Sequence, residues 1–490
     1  MSPAWAAHLP AGMRAEELDL TGLRSLPAAW RQIWAAAPER VVLTDVTGRS
    51  LTAAQLEAAT SAAAGRLAGA GLTPGDRVLM SAEASIELVI AHVAALRAGL
   101  VVVPANTAYR ERELAHLITD ASPRLVVVDS QERAGWIAAV PVTGPDLDLP
   151  AGPPPPLDGA APDDPALIGY TSGTTGVPKG AVLSHANLLA GSSSVGIAWR
   201  WDPTDVLVLA LPLFHAHGLC VGLHGTLLAG ARAVLLPRFD VDAVLHAAAE
   251  ARATLFFGVP TMYHRLAASS RVGELGRLRL CVSGSAPLPA ALHQTLAERA
   301  GQRVLERYGM TETLMNVSNP YDGERRPGSV GLPLPGVEVV LDDGEILVRG
   351  PNVFARYWER PDATADAFRD GWFATGDLGA FDDDGYLRIL GRAKELIISG
   401  GFNVYPREVE EVLLSHPAVA EAAVVGTPSD EWGEVVTAYV VASSPVAEAE
   451  LTAYAAEQLA GYKRPRIVRF VDALPRNALG KIMKHDLATD

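Results

Sequence analysis

Residues 170–180 read Tyr170-Thr171-Ser172-Gly173-Thr174-Thr175-Gly176-Val177-Pro178-Lys179-Gly180, entered from the apolar pair Leu167-Ile168. Serine, threonine and glycine make this loop dense in hydroxyls and in open backbone N–H groups. Both suit phosphate oxygens, and Lys179 adds a point charge. The loop departs from the Walker A pattern. Pro178 precedes the lysine and Gly180 follows it, so the metal-binding hydroxyl of that motif is missing. As a bare Gly/Ser/Thr stretch it could also be a flexible linker.

Working outward, the segment before the loop alternates short β-rich runs with helical ones. Arg77–Met80 reads as a strand, and residues 85–98 as a helix with Ile86, Val89, Ile90 and Val93 on one face. Gly99 stops that helix. Residues 100–104 and 124–129 are further short apolar runs. Strand, helix and strand at this spacing predict parallel βαβ units. Residues 151–157 (AGPPPPL) form a proline-rich connector that continues neither a helix nor a central strand. A second α/β stretch runs to about residue 330. Residues 337–391 are richer in strand and turn signals, with Asp343-Gly344, Asp370-Gly371 and Asp384-Gly385 predicting hairpins. Beyond Arg392 the pattern becomes a compact α+β module. The expected architecture is α/β: a large N-terminal domain, residues 1–392, of layered α/β subdomains with a β-rich portion, then a small mobile α+β C-terminal domain, residues 393–490.

Composition narrows the function. With 490 residues, 49% of them hydrophobic, the chain has ample material for cores and is too long for one ordinary domain. A formal net charge of −15 argues against nucleic acid as the main partner, while leaving room for a local basic pocket. The two cysteines, Cys220 and Cys281, sit among apolar residues and read as buried thiols, not as a disulfide framework or zinc site. No positively charged segment followed by an apolar run opens the chain, and no apolar run is long enough to span a bilayer. The expected setting is cytoplasmic, without a membrane partner.

Six further strings follow in order: PLFHAHG at 212–218, SGSAPL at 283–288, RYGMTET at 307–313, GWFATGD at 371–377, GRAKELIISGGFNVYP at 391–406 and LPRNALGKIMK at 474–484. Together with the loop at 170–180 they closely resemble the acyl-adenylate-forming superfamily of acyl-CoA synthetases, adenylation domains and luciferases, over nearly the whole chain. The resemblance implies an AMP-forming ligase that uses ATP, Mg²⁺ and CoA.

It also implies roles for particular residues. Thr171, Ser172, Gly173, Thr174, Thr175, Gly176 and Lys179 would hold the phosphates. Gly284, Ser285 and Ala286 would flank the adenine, with Tyr308 stacked on it. Thr311 would touch the α-phosphate, and Glu312 would ligate Mg²⁺, a hard cation suited to carboxylate and phosphate oxygens. Asp377 would accept the ribose hydroxyls, and Arg392 would lie near the ribose and α-phosphate. Lys394 matches a hinge. Lys481 would reach into the site and bridge the substrate carboxylate and α-phosphate as the two anions approach. Lys481 is also a candidate for a lysine acetyltransferase, since acylation removes its charge. After a swing about Lys394, the Ser399-Gly400-Gly401 segment, read as a strand edge, would line the pantetheine tunnel. Arg238 aligns with a position that meets CoA phosphates, or is a plain surface arginine.

The acid is read from Arg307. In most relatives the residue before the tyrosine is small. If Tyr308 lies on the nucleotide, Arg307 should face the acyl pocket, because successive strand residues face opposite ways. A buried guanidinium needs a partner, and a second carboxylate on the substrate would supply one. This predicts malonate or methylmalonate, and RYGMTET followed by Asn319-Pro320-Tyr321 resembles malonyl-CoA synthetases. Ser283, His215 and Met315 would shape the same pocket, with His215 also a catalytic candidate. The other reading of Arg307 is pairing with an internal acid. Other readings of the chain are a ligase for a monocarboxylic acid, a stand-alone enzyme loading a carrier protein, a luciferase-like enzyme and a non-catalytic nucleotide binder.

Overall fold

The computed structural model describes residues 3–20, 24–171, 178–429, 431–477 and 481–487. The expected βαβ unit is present. Strand Arg77–Ser81 runs parallel to Val101–Pro104, with Val78 opposite Val102, and helix Ile86–Arg97 links them. Ser85 caps the helix, its hydroxyl accepting the Leu88 N–H at 3.1 Å. Gly99, at φ 74°, ends it in the left-handed conformation glycine tolerates. Leu125–Val128 joins the other side of Arg77–Ser81, also parallel. Val78, Leu79, Val126 and Val127 are fully buried, as unbroken apolar runs in a parallel sheet covered on both faces should be.

These strands belong to a seven-stranded sheet that also contains Pro165–Thr171 and Lys179–Ser184, an antiparallel pair flanking residues 172–177. Strand Arg356–Tyr357 forms its edge beside Lys179–Ser184. A nine-stranded sheet follows, with Val206–Leu209, Leu255–Gly258, Leu280–Ser283 and Leu305–Tyr308 as parallel neighbours. One large apolar core, containing Trp30, Trp34 and Trp199, draws residues from both sheets. Cys220 and Cys281 are free and buried.

Residues 338–392 form a five-stranded antiparallel sheet. Asp343-Gly344 (φ 48° and 83°) and Asp370-Gly371 (φ 49° and 82°) make two-residue hairpin turns with both central residues at positive φ. Asp384-Gly385 turns differently. Only Gly385 has positive φ, and Asp382 Oδ1 accepts the N–H groups of Asp384 and Tyr386 at 3.1 and 2.9 Å.

The small C-terminal domain has its own five-stranded sheet, beginning at Ile397–Ser399, and its own core around Val409, Leu413, Val424 and Val436. Ser399-Gly400-Gly401, expected as a strand edge, is instead the end of a strand and the turn of a hairpin. Ser399 pairs with Phe402, and Gly400 and Gly401 lie at φ 57° and 82°, a conformation that suits a tight turn and not an extended edge. Arg407 docks the domain, donating from Nη1 to the Ile389 carbonyl at 2.7 Å. Lys484 Nζ pairs with Glu395 at 3.3 Å and Glu410 at 2.7 Å. Among the described residues no helix is long and apolar enough to cross a membrane.

Candidate active site

A cavity of about 1100 Å³ opens where the two large sheets, the antiparallel sheet and the small domain meet. Its wall carries residues from most of the ordered motifs: Thr171 and Lys179, His215, Ser285, Arg307, Thr311, Glu312 and Met315, Arg392 and Lys394, and Lys481. Ser172, Gly173, Thr174, Thr175 and Gly176 lie outside the described residues.

Strand Leu305–Tyr308 divides its side chains between two faces. Glu306 turns away from the cavity, and its Oε1 accepts the Leu288 N–H at 2.9 Å. Burial pushes its carboxyl up to about 7, against the pull of Arg407. Arg307 points into the cavity and is only 3% exposed. No carboxylate among the described residues forms an ion pair with it, and its Nε and Nη2 have no hydrogen-bond partner. Burial lowers its guanidinium to about 9, while Glu306 pulls the other way. The guanidinium lies against Gly284 so closely that a Cβ there would stand 2.2 Å from Cζ.

His215, His217, Phe214 and Met315 stand on the same wall. A π-helical stretch begins at His217 and runs to Leu223. Such irregular turns recur at functional sites because they re-aim side chains. Burial, then the charge of Arg307, holds both histidines below the usual range, His215 at about 4. Both are therefore neutral near pH 7. His217 is buried with neither ring nitrogen bonded.

Across the cavity, Glu312 is 5% exposed and its Oε1 accepts the Tyr357 hydroxyl at 3.0 Å. Burial raises its carboxyl above the ordinary value. No cluster of three or more His, Cys, Asp or Glu among the described residues forms a cation cage. A single buried carboxylate on the cavity wall still suits Mg²⁺, which is held through one or two carboxylates, water and substrate phosphates. Ser285 sits at φ 69°, a strained value for a residue with a Cβ.

Asp377 and Tyr308 stand off the cavity wall. The Tyr308 hydroxyl donates to Asp377 Oδ2 at 2.5 Å, and Arg392 Nε pairs with Oδ1 at 2.6 Å. Both carboxylate oxygens thus already hold a protein partner, and a ribose would have to use their remaining lone pairs. Ser283 is buried with its hydroxyl unbonded, and Gly284 and Ala286 support the wall without forming it.

Lys481 stands exposed at the rim, tied to Asn477 by two hydrogen bonds. The Lys481 N–H donates to Asn477 Oδ1 at 3.0 Å, and the Asn477 N–H donates to the Lys481 carbonyl at 2.9 Å. Its ammonium is lowered from the ordinary lysine value by the desolvating wall and then by Arg392, with Asp377 and Glu395 opposing. Two predicted groups stay apart. Arg238 is exposed and off the wall, and Gly400 packs on the Trp432 ring, where a Cβ would meet it at 2.7 Å.

The sequence reading missed Tyr357, Phe214, His217 and Asn477. Phe214 and His217 flank His215 inside a motif, so adjacency was an available signal. Tyr357 reads as a core aromatic, because its contact with Glu312 spans 45 residues and exists only in the folded chain.

A family model described as "AMP-binding enzyme" matches residues 30–358, and one described as "AMP-binding enzyme C-terminal domain" matches residues 408–481. The chain is 39% identical to a feruloyl-CoA synthase of Amycolatopsis over 90% of its length and 94% of the relative's. It is 36% identical to a malonate–CoA ligase of Arabidopsis thaliana, covering 86% of this chain and 78% of that one. Among solved structures, ATP-bound MatB from Rhodopseudomonas palustris is 43% identical and superposes with a TM-score of 0.89, covering 94% of this chain and 98% of that one.

Proposed function

Because the chain belongs to the AMP-binding enzyme family, and is an adenylate-forming CoA ligase, we propose that it ligates a short dicarboxylic acid, malonate or methylmalonate, to CoA. The reading rests on one observation: Arg307 is a buried cation with no ion pair among the described residues, in the same cavity as Lys179, Thr311, Glu312 and Lys481. A buried guanidinium left uncompensated costs several kcal/mol, on the order of 3–5 when a partner is removed. A substrate carboxylate held in bidentate fashion would offset that cost. The similarity to a malonate–CoA ligase supports the same reading. The equal similarity to a feruloyl-CoA synthase means that Arg307, and not overall resemblance, carries it.

In the first step one substrate carboxylate attacks the α-phosphorus of ATP. The bond to the bridging oxygen breaks, and pyrophosphate leaves with that oxygen. Lys481, with Thr311 and Arg392, would neutralise the charge that builds as two anions meet. Glu312 would hold Mg²⁺, which when bound screens the phosphate charge. Lys179 and the preceding loop would hold the β- and γ-phosphates. His215 is neutral and would bound the acyl pocket with Met315 instead of adding a second positive charge.

In the second step the small domain turns about Lys394 and CoA enters. The thiol sulfur, its proton lost to solvent, attacks the acyl carbonyl carbon, the bond from that carbon to the phosphate oxygen breaks, and AMP departs with that oxygen as the thioester forms. The Gly400-Gly401 turn would then line the pantetheine path, and Arg238 would meet CoA phosphates. Lys481, exposed at the rim, is open to an acetyltransferase in the conformation described above. Intact mass and adenylation rate after acetyltransferase treatment would test that.

The function is tested by CoA consumption across malonate, methylmalonate and butyrate. A higher kcat/KM for butyrate than for both diacids would overturn the dicarboxylate reading and leave a monocarboxylate ligase. Activity only with a carrier-protein thiol, and none with free CoA, would replace the acceptor.

A further inference from the structure

The segment from Phe354 to Trp358 laces together two walls of the cavity that are far apart in sequence. The Phe354 N–H donates to the Glu312 carbonyl at 2.8 Å, and the Tyr357 hydroxyl donates to the Glu312 carboxylate at 3.0 Å. On its other side the segment is the edge strand of the seven-stranded sheet. Tyr357 pairs with Ala181, and the Trp358 N–H donates to the Gly180 carbonyl at 2.7 Å. The neighbour of Gly180 is Lys179, whose Nζ stands over the Tyr357 ring, 5.3 Å from its centroid. One side chain, 9% exposed and on the cavity wall, therefore holds the carboxylate with its hydroxyl and the ammonium with its ring face.

We propose that Tyr357 is the positioning residue for magnesium-bound ATP, setting the Glu312 carboxylate and the Lys179 ammonium at a fixed spacing before the nucleotide enters. A carboxylate on a free rotor samples several orientations, and a lysine samples more. Fixing both in advance removes that ordering cost from nucleotide binding. The hydroxyl occupies one lone pair of Glu312 Oε1 and leaves Oε2 for the ion, the way outer groups orient metal ligands generally. The ring supplies a negative π-face to the ammonium without a carboxylate that would repel the phosphates. The inference rests on reading Glu312 as the magnesium ligand and Lys179 as a phosphate contact.

Tyr357→Phe removes only the hydroxyl, and Tyr357→Leu removes the ring face as well. ATP binding to the full chain is measured by calorimetry at increasing Mg²⁺ and again in EDTA, with Glu312→Gln alongside. Adenylation by ATP–pyrophosphate exchange and thioester formation from supplied acyl-adenylate are followed in parallel. Outer-shell partners of metal ligands are typically worth about 10- to 100-fold in metal affinity. Tyr357→Phe should accordingly raise half-saturating Mg²⁺ about 10-fold, leave ATP binding in EDTA unchanged and spare the thioester step. Tyr357→Leu should also weaken ATP binding in EDTA. A Tyr357→Phe titration that superposes on wild type while Glu312→Gln is shifted overturns the positioning role and leaves the Glu312 reading standing. No shift in either variant overturns both. Equal weakening of ATP binding with and without Mg²⁺, or loss of both half-reactions in Tyr357→Phe, makes Tyr357 a packing residue and also overturns the inference.

Discussion

Gly284 and Arg307 approach so closely that a Cβ on the glycine would stand 2.2 Å from the guanidinium carbon and 2.4 Å from Nε. The guanidinium thus occupies space that any side chain at residue 284 would take. Gly284→Ala should push Arg307 off its position, and inserting a methyl into a packed site costs about 1–3 kcal/mol. We expect malonate kcat/KM to fall roughly 10-fold or more, with butyrate affected less. Equal loss for both acids would mean that the glycine serves the nucleotide side instead.

Removing the guanidinium itself should invert the preference. A hydrogen bond to a charged group is worth about 1.5–3 kcal/mol, or roughly 10- to 200-fold in kcat/KM. Arg307→Leu should lose that factor with malonate and gain with butyrate, because its isobutyl group leaves no buried charge to satisfy. Steady-state kinetics with both acids, and thermal unfolding without substrate, check this. The leucine variant should unfold no earlier than wild type, since an unpaired buried cation is replaced by an apolar group. Unchanged malonate turnover contradicts the assignment.

Lys481→Ala should separate the half-reactions. Losing one preorganised electrostatic contact costs about 10²–10³ in rate. That loss should be seen in ATP–pyrophosphate exchange and not in thioester formation from supplied acyl-adenylate. Asn477→Ala, which removes the side-chain acceptor of the Lys481 N–H, should reproduce a smaller share of the same pattern. Equal loss in both steps speaks against Lys481 as the adenylation lysine.

Acid should destabilise the chain well above the range where carboxylates titrate. His8, His92 and His185 are buried, and burial holds their rings at about 4, 3 and 4. In the unfolded chain they titrate near 6.5, so below that pH the unfolded state binds protons the native state refuses. Stability contributed by the neutral rings is therefore present above about 6.5 and is lost as pH falls toward 4. Each ring contributes at most about 1.4 kcal/mol per pH unit. His92 and His224 share a 2.8 Å Nε2–Nε2 contact that needs one nitrogen to accept, so their joint protonation is further opposed. His185→Leu, replacing a ring whose two nitrogens have no partner, should flatten the fall in unfolding temperature between pH 6.5 and 4. An unchanged slope would refute this.

Much of the site was legible because its residues sit inside short ordered strings. RYGMTET carries Arg307, Thr311 and Glu312 within a few residues, and strand alternation set Arg307 on the face opposite its neighbour Tyr308; Arg307 lies on the cavity wall and Tyr308 off it. The βαβ unit at 77–104 was legible for a similar local reason: apolar periodicity and a glycine stop act over one or two turns. Ser399-Gly400-Gly401, expected from the resemblance as a strand edge, is a turn because Gly400 and Gly401 both take positive φ.

By itself the sequence determined the family, the two-part α/β architecture and the chemical types at the site, because each is written in local patterns that survive without a partner. The tertiary structure alone decided which of those groups meet. Nothing in the chain order announces that Tyr308 and Arg392 occupy both oxygens of Asp377, that Tyr357 bridges Glu312 and Lys179, or that Arg307 is buried with no acid paired to it among the described residues. The hydrogen bonds among them join residues far apart in the chain, Tyr308 to Asp377 over 69 positions and Tyr357 to Glu312 over 45. They exist only after burial has removed water from around each charge and left it to find, or to lack, a partner within hydrogen-bond reach.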